Sequence, residues 1–145
     1  MYAYSGITDT KVSIDLRGTN ASSRYTFRYS SLVTIRKLIV YEDTKMSLQF
    51  KGCEALKDIT IEGTIGTKVD FGDCPYLSRK SIENVFDCLG TPTAATTMTF
   101  TDFAVNVAFE TSTGAHDGTS SPEWLAFVAE AEDKNWTVTL VEWEE

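Results

Sequence analysis

The sequence predicts a β-rich α+β fold: a short solenoid of stacked strand repeats over residues 1–77, closed by an α/β cap over residues 78–145. Three observations predict it. A block of Tyr or Cys, two residues, then Ile or Leu recurs, with starts at residues 4, 29, 53 and 74. After the blocks come apolar residues alternating with polar ones, the period of a half-buried strand. Past Leu77 that alternation gives way to helical spacing.

The elements follow in order. The blocks are Tyr4-Ser5-Gly6-Ile7, Tyr29-Ser30-Ser31-Leu32, Cys53-Glu54-Ala55-Leu56 and Cys74-Pro75-Tyr76-Leu77, and Phe27, Phe50 and Phe71 precede the last three. Val12/Ile14/Leu16, Leu38/Val40 and Ile59/Ile61 form a first set of alternating runs. Tyr25/Phe27, Leu48/Phe50 and Val69/Phe71 form a second. Loop residues divide them at 18–20, 42–44 and 63–66. Two short strands cannot bury their apolar face alone, but stacked units can, and equal positions then form core columns. Cys53 and Cys74, Leu56 and Leu77, and Phe50 and Phe71 are expected one above the other.

Beyond Leu77, Ser78 is placed to cap a helix whose face is Ile82, Val85, Phe86 and Leu89, stopped at Gly90 and Pro92. Residues 97–101 alternate as a strand, and Val105–Phe109 reads as another. Residues 111–121 read as an exposed loop. Ser121-Pro122-Glu123 starts a second helix with a cap, a first-turn proline and an acid near the positive end of the dipole. Its apolar face is Trp124, Leu125, Phe127, Val128 and Ala131. Asn135 takes a left-handed stop, and residues 136–141 form the final strand. The chain opens inside a repeat without a polar cap. An exposed strand edge there calls for a longer parent chain or for self-association at that end.

Composition narrows the function. The 145 residues are 42% hydrophobic, with no apolar run near the roughly 20 residues of a membrane span, so membrane insertion is not expected. No basic-then-apolar signal pattern stands in residues 1–20. The net charge is −8, and residues 91–145 carry one lysine, Lys134, against ten acids. That end repels phosphate backbones, so nucleic acid is not an expected partner. The three cysteines lack metal-ligand spacing, and an odd count argues against a closed disulfide framework. Buried reduced thiols are the expectation, with no metal and no cofactor.

The repeats resemble irregular bacterial leucine-rich repeats of the BspA-like group, in which an aromatic, a Cys and a Leu recur before a short strand. The carrying stretch is Phe50-Lys51-Gly52-Cys53-Glu54-Ala55-Leu56-Lys57-Asp58-Ile59-Thr60-Ile61. The tail also resembles the closing segment of such arrays: Leu77-Ser78-Arg79-Lys80-Ser81-Ile82, a threonine-alternating strand, and a helix leading into Lys134-Asn135-Trp136-Thr137-Val138. Asn135 stands where that segment usually has Gly, and the stretch 102–120 is longer than its pattern. The resemblance covers about residues 24–141. It implies a short leucine-rich-repeat-like solenoid with an α/β C-terminal cap, found in phage tail, prophage and bacterial surface proteins. It implies binding or structure rather than an activity, on a virion or bacterial cell surface.

The candidate binding residues are Arg24, Arg28, Tyr29, Arg36 and Tyr41, because Arg and Tyr are enriched where proteins meet partners. Other motifs lead elsewhere. Asp70-Phe71-Gly72 has the letters of a kinase metal loop without the rest of that machinery. His116, with Asp117 beside it, is the sole base for a small hydrolase, but it sits on a loop of small residues. Asp70/Asp73 and Glu142/Glu144/Glu145 lack the spacing of a calcium loop. The reading is a non-enzymatic recognition or attachment module that binds protein or glycan through one sheet face. The alternative is a capping or oligomerisation domain with no external ligand.

Overall fold

The computed structural model describes residues 31–41, 47–111 and 114–143, together with the backbone of three short strands, β1 (Asp9–Thr10), β2 (Ile14–Asp15) and β3 (Phe27–Arg28). There follow β4 (Thr34–Val40), β5 (Leu48–Lys51), β6 (Asp58–Gly63), β7 (Val69–Asp70), α1 (Arg79–Asp87), β8 (Thr96–Thr101), α2 (Asp102–Ala108), α3 (Pro122–Asp133) and β9 (Trp136–Val141). A 3-10 turn, Gly118–Ser120, precedes α3. The repeat blocks at residues 4 and 29–30 lie outside the described residues, as do the loops at 18–20 and 42–44.

Among the described residues all the strand pairings are parallel. In one sheet β4 pairs with β1, β2 and β6; the other runs β3-β5-β7-β8-β9. Alternation sets the inward residues: Ile59 and Ile61 on β6, Leu48 and Phe50 on β5, Met98 and Phe100 on β8. On β4 the buried residues are Ile35, Leu38 and Val40, and the step of three between the first two coincides with a register shift against β6. A bulge there lets both Ile35 and Leu38 face inward. Phe50 stacks on Phe71 (4.5 Å, 7°) and Phe71 on Phe100 (5.7 Å, 5°), so one column of rings crosses three neighbouring strand lines.

The expected fold class is overturned. The described residues form a small α/β domain with two parallel sheets and three helices, not a β-rich leucine-rich-repeat-like solenoid with an α/β cap. The physical reason is that period-two alternation reports a strand with one buried face. It does not report which strands share a sheet or where a sheet stops. A solenoid would extend both sheets with each unit. Here β6 is the last strand of its sheet, because α1 lies along its edge, while the other sheet continues through β7, β8 and β9.

The helix signals act as local chemistry requires. The Ser78 hydroxyl accepts from the Ser81 amide, and the Ser121 hydroxyl from the Trp124 amide, with Pro122 in the first turn. Ile82, Val85 and Phe86 are buried. In α3 Trp124 and Ala131 are buried, while Leu125 is 54% exposed. Asn135 turns the chain at φ +73° into β9, and its side-chain amide donates to the Pro92 carbonyl (3.1 Å). Trp136 is buried with its indole N–H on the Gly90 carbonyl (2.9 Å).

Residues 105–109 are not a strand. Residues 105–108 belong to α2 and Phe109 caps its C-terminus; the helix starts with the Thr101 hydroxyl accepting from the Ala104 amide (3.0 Å) and Asp102 in the first turn. Ala104, Val105 and Phe109 are buried and Val107 is exposed, a helical spacing. The cap and the acidic first turn outweigh the β-branched valines, whose strand preference is a weak bias.

Candidate functional site

The outer face of the five-stranded sheet carries the most ordered set of polar groups. Four triplets, Leu48-Gln49-Phe50, Val69-Asp70-Phe71, Met98-Thr99-Phe100 and Val138-Thr139-Leu140, each put a polar residue between two apolar ones. The strands pair so that Gln49 stands beside Asp70, Asp70 beside Thr99, and Thr99 beside Thr139. In a strand the middle residue points away from its neighbours, so the apolar pairs face the core and the polar row faces out. Thr139 is exposed, Gln49 and Asp70 are half-buried, and Thr99 is almost covered.

This row opens into a groove of about 610 Å³, which Lys51, Gly72, Val141 and Trp143 also line. Gly72 sets the groove's depth. A Cβ at this position would lie 2.9 Å from Asp70 Oδ1 and 3.3 Å from Val141 Cγ2. The Gly72 amide donates to Asp70 Oδ1 (2.8 Å), and the Gly52 amide to Asp73 Oδ2 (2.8 Å). Asp70-Phe71-Gly72 is therefore a turn with its middle ring in the core stack. The Trp143 amide donates to Asp102 Oδ1 (3.0 Å), which fixes the chain beyond β9 against the start of α2. Among the described residues no group of three or more His, Cys, Asp or Glu side chains converges as a metal site would.

A second groove, about 530 Å³, is apolar. Val33, Tyr76 and Val107 line it and are 38%, 52% and 39% exposed, so most of the large exposed apolar side chains among the described residues gather there. Tyr76 meets Phe103 edge-on (6.1 Å). At its rim Arg79 reaches Glu83 (3.3 Å) and Glu123, and lies 4.7 Å over the Phe109 ring, tying α1 to α3. The Glu123 hydrogen bond holds the Arg79 guanidinium above its ordinary range.

The sequence-derived candidates fall elsewhere. Arg24 and Tyr29 lie outside the described residues. Arg28 is placed by its backbone in β3, in register with Lys51. Arg36 is exposed on β4 and Tyr41 is half-buried just after it, and neither lines the two grooves. Gln49, Thr139 and Trp143 are not marked as site residues by the sequence, and Gly72 is marked only within Asp70-Phe71-Gly72. The signal for Gln49 and Thr139 is the shared apolar-polar-apolar triplet, which has meaning only once the strands are in register; Gly72 and Trp143 stand outside the triplets.

His116 is at φ +47°, with Nδ1 3.0 Å from Glu110 Oε2. Asp117 bonds the Thr111 hydroxyl and the Thr111 amide (2.7 Å), which hold its carboxyl below the usual range. These contacts close a loop rather than aim a base at a nucleophile. Cys53 and Cys74 are buried and Cys88 half-buried, all as free thiols. Burial pushes the Cys74 thiol well up, helped by the negative ends of Cys53, Asp73 and Asp70.

A scan against protein-family models and searches of curated proteins and of solved structures find no match to the chain.

Proposed function

We propose that the chain is a non-enzymatic recognition or attachment module that binds through the outer face of the five-stranded sheet. The observation that carries this reading is the row Gln49–Asp70–Thr99–Thr139, held in register across four parallel strands and opening into a groove. A rigid sheet presents such groups at a strand spacing of about 4.8 Å, fixed before any ligand arrives. Preorganisation of that kind lowers the ordering cost of binding. A cell-surface or phage-tail setting suits a module of this sort.

The test is binding of the labelled protein to a panel of bacterial envelopes and host matrix proteins. Saturable binding that weakens in Thr139→Lys supports the reading. Absence of binding by a folded sample overturns it.

The apolar groove favours a second reading, oligomerisation without an external ligand, because exposed apolar patches mark association sites. Light scattering of the wild type and Tyr76→Asp separates the two. A dimer that dissociates in the variant supports self-association.

A further inference from the structure

The groove on the sheet face has a chemistry more specific than its shape. Gly72 keeps it open, because a Cβ there would crowd the side chains of Asp70, Val141 and Thr99. Along the row stand an amide that both donates and accepts (Gln49), a carboxylate (Asp70) and hydroxyls that do both (Thr99, Thr139). One oxygen of Asp70 already takes the Gly72 amide, so the carboxylate is held in place and keeps further acceptor sites toward the groove. Trp143 also lines the groove, half-buried, with its backbone tied to Asp102.

Charge narrows the ligand. Asp70, Asp73 and Glu142 line the groove against Lys51, so anionic ligands are repelled. The acids do not converge as a metal site among the described residues. A ligand that suits these groups carries no charge, offers many hydroxyls that donate and accept, and has an apolar C–H face to lie on an indole. Those are the properties of a pyranose ring.

We infer that this groove is a binding site for a neutral oligosaccharide, with Trp143 as the stacking platform and Asp70, Gln49 and Thr139 as hydrogen-bonding partners of the ring hydroxyls. The assignment rests on the recognition reading above and names its ligand class.

Tryptophan emission tests it directly. Trp124 and Trp136 are each 2% exposed, so a ligand in the groove acts on Trp143. The protein is titrated with cellohexaose, chitohexaose, mannohexaose and maltohexaose, and with a heparin hexasaccharide as the anionic counterpart. The expected result is a saturable emission change with at least one neutral sugar and none with heparin. Trp143→Phe should abolish the emission change. By calorimetry, affinity should fall at least about tenfold in Asp70→Asn and in Trp143→Ala. Circular dichroism confirms that both variants fold. No response to any neutral sugar overturns the assignment, as does binding that both variants leave unchanged or a preference for heparin. If envelope binding persists in any of these cases, the saccharide assignment alone fails. If envelope binding is absent too, the recognition reading fails with it.

Discussion

Asn84 holds both backbone groups of Ile61. The Ile61 amide donates to Asn84 Oδ1 (2.6 Å), and Asn84 Nδ2 donates back to the Ile61 carbonyl (3.1 Å). One turn earlier the Ser81 hydroxyl accepts from the Ile59 amide (2.9 Å). Residues three apart on α1 thus serve residues two apart on β6. A helix has taken the place of the next strand, and the edge of β6 is satisfied by side chains instead of being left to pair with another chain. Replacing Asn84 with Ala should therefore destabilise the protein by about 2 kcal/mol, the cost of stranding partly buried backbone groups. Asn84→Asp keeps an acceptor for the Ile61 amide and should lose less at neutral pH. Urea unfolding compares them, and a loss under about 0.5 kcal/mol in Asn84→Ala would show that water replaces the side chain.

Phe71 stands between Phe50 and Phe100 in the ring column and is fully buried. Phe71→Ala leaves a void where two rings lose their shared partner. The expected cost is about 4 kcal/mol, with loss of the near-ultraviolet aromatic signal. Phe71→Leu fills part of the space and should cost less. Equal losses in the two variants would mean that filled volume does not matter and that the ring contacts carry the cost.

Gly63 and Gly114 separate backbone strain from crowding. Both have positive φ, +105° and +79°. A Cβ on Gly63 would lie 2.0 Å from the Val40 carbonyl oxygen, whereas Gly114 has nothing within 4 Å. Gly114→Ala should cost about 1 kcal/mol, the left-handed penalty alone. Gly63→Ala must also push β6 from β4 and should exceed about 4 kcal/mol. A thermal melt of each reads the difference, and similar values would contradict the clash.

Alkali should weaken the fold through Cys74. Its thiol is raised by burial first, then by Cys53, Asp73 and Asp70, so the folded protein keeps the proton that the unfolded chain releases near about pH 8.5. Above that pH the unfolded state binds fewer protons, and stability falls as pH rises toward the folded value. Below it this contribution is fully present. Cys74→Ala lowers stability near neutrality by leaving a void, but should flatten the decline between about pH 8 and 10. A decline of undiminished slope in the variant would assign it to other groups.

How much of this was legible in sequence differs by element. Capping is short-range chemistry, so Ser78 and Ser121 announced α1 and α3, and Asn135 announced the left-handed turn before β9. Strand alternation, a property of consecutive residues, marked Leu48/Phe50, Ile59/Ile61 and Val69/Phe71 as inward-facing. The valines of 105–109 misled, because weak strand propensity was set against a cap at Thr101 that the reading did not weigh.

The sequence by itself determined which residues of β5 and β6 enter the core and where two of the helices begin, since both depend on neighbours a few positions away. Only the tertiary structure decided the fold class and the site. Ser81 and Asn84 look like ordinary polar helix residues until β6 lies beside them, and only that contact ends one sheet while the other continues. Gln49, Asp70, Thr99 and Thr139 are 90 residues apart from first to last. They become one surface because parallel pairing sets their strands side by side in register, and register is a property of the assembled sheet, not of any one strand.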